Sequence, residues 1–137
     1  PGLRPLDKGA MRERSREFLA QLGIELPALD EPVARLSGGQ RQAVAISRAL
    51  RWRARLVIMD EPTAALGVRE KARVLDLIRR LRDNGVSVLL VSHNMDDVVA
   101  VTDRVAILRG GRLQGEIATA DVDADRLSHM VMAGHMQ

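Results

Sequence analysis

The chain of 137 residues contains no cysteine and no tyrosine, one phenylalanine and one tryptophan. The missing thiols exclude a disulfide framework and any thiolate metal site, and are compatible with a reducing compartment. With Phe18 and Trp52 as the whole aromatic complement, the interior has to be built from Val, Ile, Leu, Ala and Met. Long apolar runs are missing too. The stretches around 86–91 and 98–101 fall far short of the roughly 20 residues that a membrane-spanning helix requires. Nothing of the signal-peptide pattern opens the sequence, and a start at Pro1 rather than Met reads as a piece of something longer. A further absence concerns chemistry: no G-x-x-x-x-G-K-(S/T) phosphate loop occurs anywhere.

What is present describes a globular chain. The hydrophobic fraction is 46% and the charged fraction 28%, enough for one small domain with a core of its own. The formal net charge of +3 is modest. Its arginines are interspersed with acids rather than gathered in a stripe, so no nucleic-acid partner is expected. The densest group, Arg48, Arg51, Arg53 and Arg55, reads as a solvated face following a helix.

Patterning divides the chain into alternating elements. The first ten residues, with Pro1, Gly2, Pro5 and Gly9, read as a loop, and Met11, Phe18, Leu19 and Leu22 then recur at helical spacing up to Gly23. Pro27 and Pro32 bracket a connector. A helix is expected from Ser37 through Arg51, with Val44, Ile46, Ala49 and Leu50 facing inward. Leu56-Val57-Ile58-Met59 is an uninterrupted apolar run ended by Pro62, as in a strand buried on both faces. Val74, Leu77, Ile78 and Leu81 define a helix over 68–82 that Asn84-Gly85 ends. A second buried strand is expected at 86–91, then a helix with Asn94 as N-cap and acids in its first turn. Residues 104–108 and 112–117 flank Gly110-Gly111 as a β-hairpin, and 121–132 read as a terminal helix. This order points to an α/β layered domain around a largely parallel sheet.

Three short motifs carry chemistry. Ser37-Gly38-Gly39-Gln40 is a capping box, Ser-x-x-Gln, but a box does not account for two glycines in a first helical turn, each costing about 0.8–1 kcal/mol against alanine. Glycine there also lets an anion approach the free N–H groups and the positive end of the helix dipole. Asp60-Glu61 ends the first strand at the sheet edge where open α/β sheets bind ligands, although a carboxylate pair there can also be a solvated turn. His93 follows the second strand and should emerge on the same rim. His129 and His135 belong to no motif and read as surface residues.

In this order, Leu36-Ser-Gly-Gly-Gln40, Leu56-Val-Ile-Met-Asp-Glu61 and Leu89-Leu-Val-Ser-His93 resemble the signature, Walker B and switch motifs of an ATP-binding cassette (ABC) ATPase. The resemblance covers about 32–117 and includes the Arg109-Gly-Gly-Arg112 hairpin. It implies an α/β, P-loop NTPase-like three-layer sandwich, incomplete because the Walker A portion is missing. Residues 1–52 would be the end of a helical subdomain with the signature helix, and 53–137 the C-terminal part of the ATPase core. It further implies ATP and Mg2+ as ligands, with Asp60 on the metal, Glu61 orienting and deprotonating the attacking water, and His93 touching the γ-phosphate. Ser37, Gly38, Gly39 and Gln40 would contact ATP held by the opposite subunit.

The wording from Glu61 to Val68 and from Gln40 to Ile46 is most similar to ATPases of bacterial simple-sugar importers of the ribose, xylose or fructose type. That branch implies membrane-spanning permease subunits, a second ATPase subunit or domain, indirect coupling to a periplasmic sugar-binding protein, and a place on the cytoplasmic face of the inner membrane. The sequence departs from the family in lacking the phosphate loop, the glutamine loop and the adenine-stacking aromatic, and in carrying Gly67 where many members have aspartate. The chain alone is therefore expected neither to hold ATP tightly nor to turn it over, and its strands should expose apolar faces and unpaired edges. Two other readings are a soluble ABC-type ATPase of DNA repair or translation, and a non-catalytic half that lends its signature to a partner. The absence of sustained heptads before Pro32 favours the transporter over the first. The intact Asp60, Glu61 and His93 argue against the second.

Overall fold

The computed structural model describes residues 6–21, 23–24, 26, 28–51 and 54–133, with backbone alone at 21 and 49–51. The expectations for Leu22, Pro27, Trp52, Arg53 and His135, and for the side chains of Ala49, Leu50 and Arg51, lie outside the described residues.

Two short strands joined by a helix form the centre. Strand β1 (Leu56–Asp60) pairs in parallel with β2 (Ser87–Val91), in the register Leu56↔Ser87 to Asp60↔Val91. Parallel neighbours require a crossover, and α3 (Val68–Asp83) supplies it. Glu70 in its first turn and Arg80 and Arg82 in its last complement the helix dipole. Its end is a Schellman turn: the Val86 N–H donates to Leu81 O at 3.0 Å and the Gly85 N–H to Arg82 O at 2.8 Å. Gly85 takes the required left-handed backbone, φ +76°.

The buried stripe of α3, Val74, Leu75, Leu77, Ile78 and Leu81, meets Val57 and Met59 of β1 and Val101 in one core cluster. Val88 and Leu90 of β2 flank it. The expectation of strands buried on both faces is not met. Ile58 is 66% and Leu89 52% exposed, and these cross-strand partners lie with Leu56 and Val91 on a face open to solvent. The reason is a missing layer: among the described residues helices cover one face of this sheet, whereas parallel sheets are ordinarily covered on both. The α/β class stands, with two of the expected three layers present among the described residues.

Before the sheet come α1 (Lys8–Gln21) and α2 (Gly38–Arg51). Asp7 caps α1, accepting the Ala10 N–H at 2.9 Å. Only the later part of α1 is covered: Leu19 is buried and Phe18 half-buried, while Met11, at the same helical spacing, is exposed. Along α2, Ile46 enters the main core, Val44 is half-buried, and Ser47 is buried with its hydroxyl donating to Val44 O at 2.8 Å. The start of α2 lies against the start of α3. A Cβ on Gly38 would sit 2.7 Å from Leu66 Cδ2, and one on Gly39 would sit 3.2 Å from Glu70 Cβ and 3.6 Å from its Cα. Close helix packing is thus a second physical reason for paired glycines, one that the linear pattern does not reveal.

The rest of the chain builds a second, smaller core. Helix α4 (Met95–Val101) is capped as expected by Asn94, whose side chain accepts the Asp97 N–H at 3.1 Å. Antiparallel strands β3 (Arg104–Arg109) and β4 (Arg112–Ala118) form a hairpin separate from the central sheet. Its turn places Gly110 at φ +56° and Gly111 at φ +74°, the two left-handed positions of a type I′ turn. Helix α5 (Ala124–Ala133) starts later than the expected 121 because Asp123 accepts the Arg126 N–H at 2.7 Å and so caps it there. Val98, Ile107, Val122, Leu127 and Met130 form this second core.

Two outcomes follow from this packing. Gly39→Ala should not deliver the roughly 1 kcal/mol that alanine adds to a helix, because the new methyl presses on Glu70. Thermal melts should show an unchanged or lowered Tm, and a rise of several degrees would contradict the contact. The open sheet face should make the chain self-associate, and the pair Ile58→Glu with Leu89→Lys should shift it toward monomer by light scattering without lowering Tm. A wild-type chain that is monomeric at high concentration would contradict this.

Candidate active site

The carboxyl ends of β1 and β2 form one rim. The ladder runs one residue beyond β1, with the Glu61 N–H donating to Val91 O at 2.8 Å. Glu61 itself has a left-handed backbone at φ +47°, and Ala65 in the same loop has φ +58°. Such conformations are uncommon outside glycine, cost on the order of 1–3 kcal/mol each, and persist where surrounding structure fixes them.

From this position Glu61 Oε1 accepts the backbone N–H of His93 at 3.1 Å and lies 2.8 Å from His93 Nδ1. With Nδ1 protonated, one carboxylate oxygen takes two donors from one residue. Among the described residues Oε2 has no protein partner, and the imidazole is 82% exposed against 33% for the glutamate side chain. A fixed carboxylate with one oxygen available, beside an imidazole facing solvent, is an arrangement that can orient and deprotonate a water.

Asp60 is exposed at the end of β1, immediately before Glu61. Among the described residues no group of three or more His, Asp or Glu could enclose a metal. A single exposed carboxylate such as Asp60 is a donor of the kind Mg2+ takes, with its other oxygens drawn from phosphate and water.

The helix-start residues make their side-chain bonds with one another. The Ser37 N–H donates to Gln40 Oε1 at 2.9 Å, and the Gln40 N–H donates to Ser37 Oγ at 3.3 Å, which completes the capping box. Ser37, Gly39 and Gln40 line a cavity of about 100 Å³ together with Glu70, Arg73 and Asp76 of α3. Among the described residues no hydrogen bond links 37–40 to Asp60, Glu61 or His93. The structure thus brings Glu61 and His93 into contact within one chain and leaves the helix start as a separate element.

Three functional candidates escape the linear reading: Thr63, Lys71 and Asp97. Asp97 is 2% exposed, accepts the Thr63 hydroxyl on Oδ2 at 2.7 Å, and has Lys71 Nζ 2.7 Å from Oδ1. Its place in the first turn of α4 reads as ordinary dipole complementation. Its partners are far off in sequence, so no local pattern signals them.

A family profile described as "ABC transporter" matches residues 1–64. The fructose import ATP-binding protein FrcA of Rhizobium meliloti is 49% identical over 110 residues, covering 80% of this chain and 42% of the relative. The ribose import ATP-binding protein RbsA 1 of Rubrobacter xylanophilus is 43% identical over 127 residues, covering 93% of this chain and 25% of the relative. The chain therefore spans between a quarter and about two fifths of the curated relatives it matches. Among solved structures, CbiO1 of Clostridium perfringens, part of an ABC transporter complex, superposes with a TM-score of 0.70 at 28% identity, over 85% of this chain and 46% of that one. The ATP-binding cassette MJ0796, a dimer in a post-hydrolysis state bound to ADP and Pi, gives 0.66 at 27% identity, over 86% and 51%. With 43–49% identity to import ATP-binding proteins over 80–93% of its length and a fold that superposes on solved cassettes, the chain belongs to the ABC transporter ATPase family and represents part of its ATPase domain.

Proposed function

We propose that this chain is the C-terminal part of the ATP-binding subunit of an ABC importer for simple sugars, a subunit that couples ATP hydrolysis to transport. The observation that carries the reading is the contact between Glu61 and His93 at the rim, in a chain 49% identical to a fructose import ATPase and 43% identical to a ribose import ATPase. Residues 1–52 are assigned to the end of the helical subdomain and 53–137 to the ATPase core.

Each site residue then has a role that its position supports. Glu61 holds the attacking water on the carboxylate oxygen that His93 leaves unoccupied, and takes its proton. His93, fixed through Nδ1 and its backbone N–H, presents the rest of its ring toward the γ-phosphate. Asp60 would hold Mg2+, which would supply positive charge to the phosphate oxygens. Ser37, Gly38, Gly39 and Gln40 offer the N-terminus of α2 to ATP held by a second ATPase subunit. Positioning and charge stabilisation are most of what a protein must supply for phosphoryl transfer.

The partners are membrane-spanning permease subunits, a second cassette and, indirectly, a periplasmic sugar-binding protein, with the subunit peripheral on the cytoplasmic face of the inner membrane. No helix among the described residues is long and apolar enough to cross a membrane.

In the full-length ATPase, Glu61→Gln should retain ATP binding and lower turnover by about a hundredfold or more, the scale of losing a positioned base. Filter binding and phosphate release check this pair of outcomes. Turnover at the wild-type rate would remove Glu61 from its role.

A further inference from the structure

We propose that Asp97, acting through Thr63, is a positioning residue that keeps Glu61 in reach of His93; the inference rests on the reading of Glu61 as the base. The two members of the rim pair come from different segments. Glu61 stands in a loop that returns from β1 to α3, and His93 stands just before the N-cap of α4. The loop holds two left-handed non-glycine residues, Glu61 and Ala65, within five positions. Its first residue is tied to β2 by the Glu61 N–H bond to Val91 O at 2.8 Å, and past it the backbone bonds are Ala64 N–H to Glu61 O at 3.1 Å and Leu66 N–H to Thr63 O at 3.3 Å, both local. Nothing in those local bonds ties the rest of the loop to the segment that carries His93.

The Thr63 side chain does. Its hydroxyl, two residues past Glu61, donates to Asp97 Oδ2 at 2.7 Å, and Asp97 lies four residues past His93. Asp97 is held in turn on every side: its N–H donates to Asn94 Oδ1, and its Oδ1 pairs with Lys71 of α3. A 2%-exposed carboxylate is costly to bury, and here each oxygen is directed to a different element of the rim. The Thr63 hydroxyl therefore joins the glutamate loop to the histidine segment, while Lys71 fixes the carboxylate that receives it. Displacements below an ångström at such a pair change rates strongly, so removing this bond should alter the chemical step more than nucleotide binding.

The test uses the full-length ATPase with Thr63→Val, which keeps shape and removes the hydroxyl, Thr63→Ser, which keeps the hydroxyl, and Glu61→Gln as reference. Thr63→Val should lower kcat about tenfold or more with KM for ATP changed less than about twofold, and Thr63→Ser should restore kcat. A purely structural role would lower Tm in Thr63→Val and leave kcat per folded molecule unchanged. That result, with Glu61→Gln inactive, overturns the inference alone. Equal loss in Thr63→Ser overturns it too, since the hydroxyl would not be the cause. If Glu61→Gln keeps wild-type turnover, the reading of the base and this inference fall together. Should Thr63→Val not accumulate folded, Asp97→Ala removes the acceptor for the Thr63 hydroxyl and should lower kcat per folded molecule about tenfold with KM for ATP little changed. Wild-type kcat in folded Asp97→Ala would overturn the proposal.

Discussion

The parallel pairing of β1 with β2 is the constraint from which the site follows. Because Asp60 lies opposite Val91 and the ladder extends to the Glu61 N–H, the residues leaving both strands emerge at one edge. A one-residue slip would reverse which face each side chain occupies and separate the glutamate from the histidine. The register is held by α3, whose stripe from Val74 to Leu81 packs on the inward residues Val57 and Met59. The crossover thus does two jobs, burying one face of the sheet and fixing the alignment of the rim.

The start of α3 touches both candidate elements of the site. Lys71 reaches the buried Asp97 beneath the rim, while Leu66 and Glu70 press against Gly38 and Gly39 at the start of α2. A movement of the α3 N-terminus would be felt on both sides, at the rim through Thr63 and Asp97 and at the helix start through the glycine contacts. Densely packed contacts of this kind transmit displacement rather than absorb it.

Much of this was legible in the sequence, for identifiable reasons. Local signals placed elements well: Asn84-Gly85 for the end of α3, Gly110-Gly111 for the hairpin, Asn94 for the start of α4. The unbroken run from Leu56 to Met59 identified a strand but misled about burial, since apolar residues on both faces say what a sheet is suited to and not what covers it. Met11 matched a helical stripe and is exposed because only the later part of α1 meets other structure. Glu61 and His93 were visible as motif residues at strand ends. Thr63, Lys71 and Asp97 were not, because a buried ion pair and a hydrogen bond between residues 34 positions apart leave no periodic trace. The glycines of α2 announce backbone open to a ligand, whereas their contact with the start of α3 is visible only in the fold.

The central claim is that Glu61 and His93 act as one unit at the rim. A double-mutant cycle on kcat in the full-length ATPase, with Glu61→Gln, His93→Ala and the combination, tests it most directly. Groups that act as a unit are non-additive, so the double variant should be no slower than the slower single variant. If the two losses instead multiply, the residues contribute independently, and the 2.8 Å contact between them is not the basis of the site.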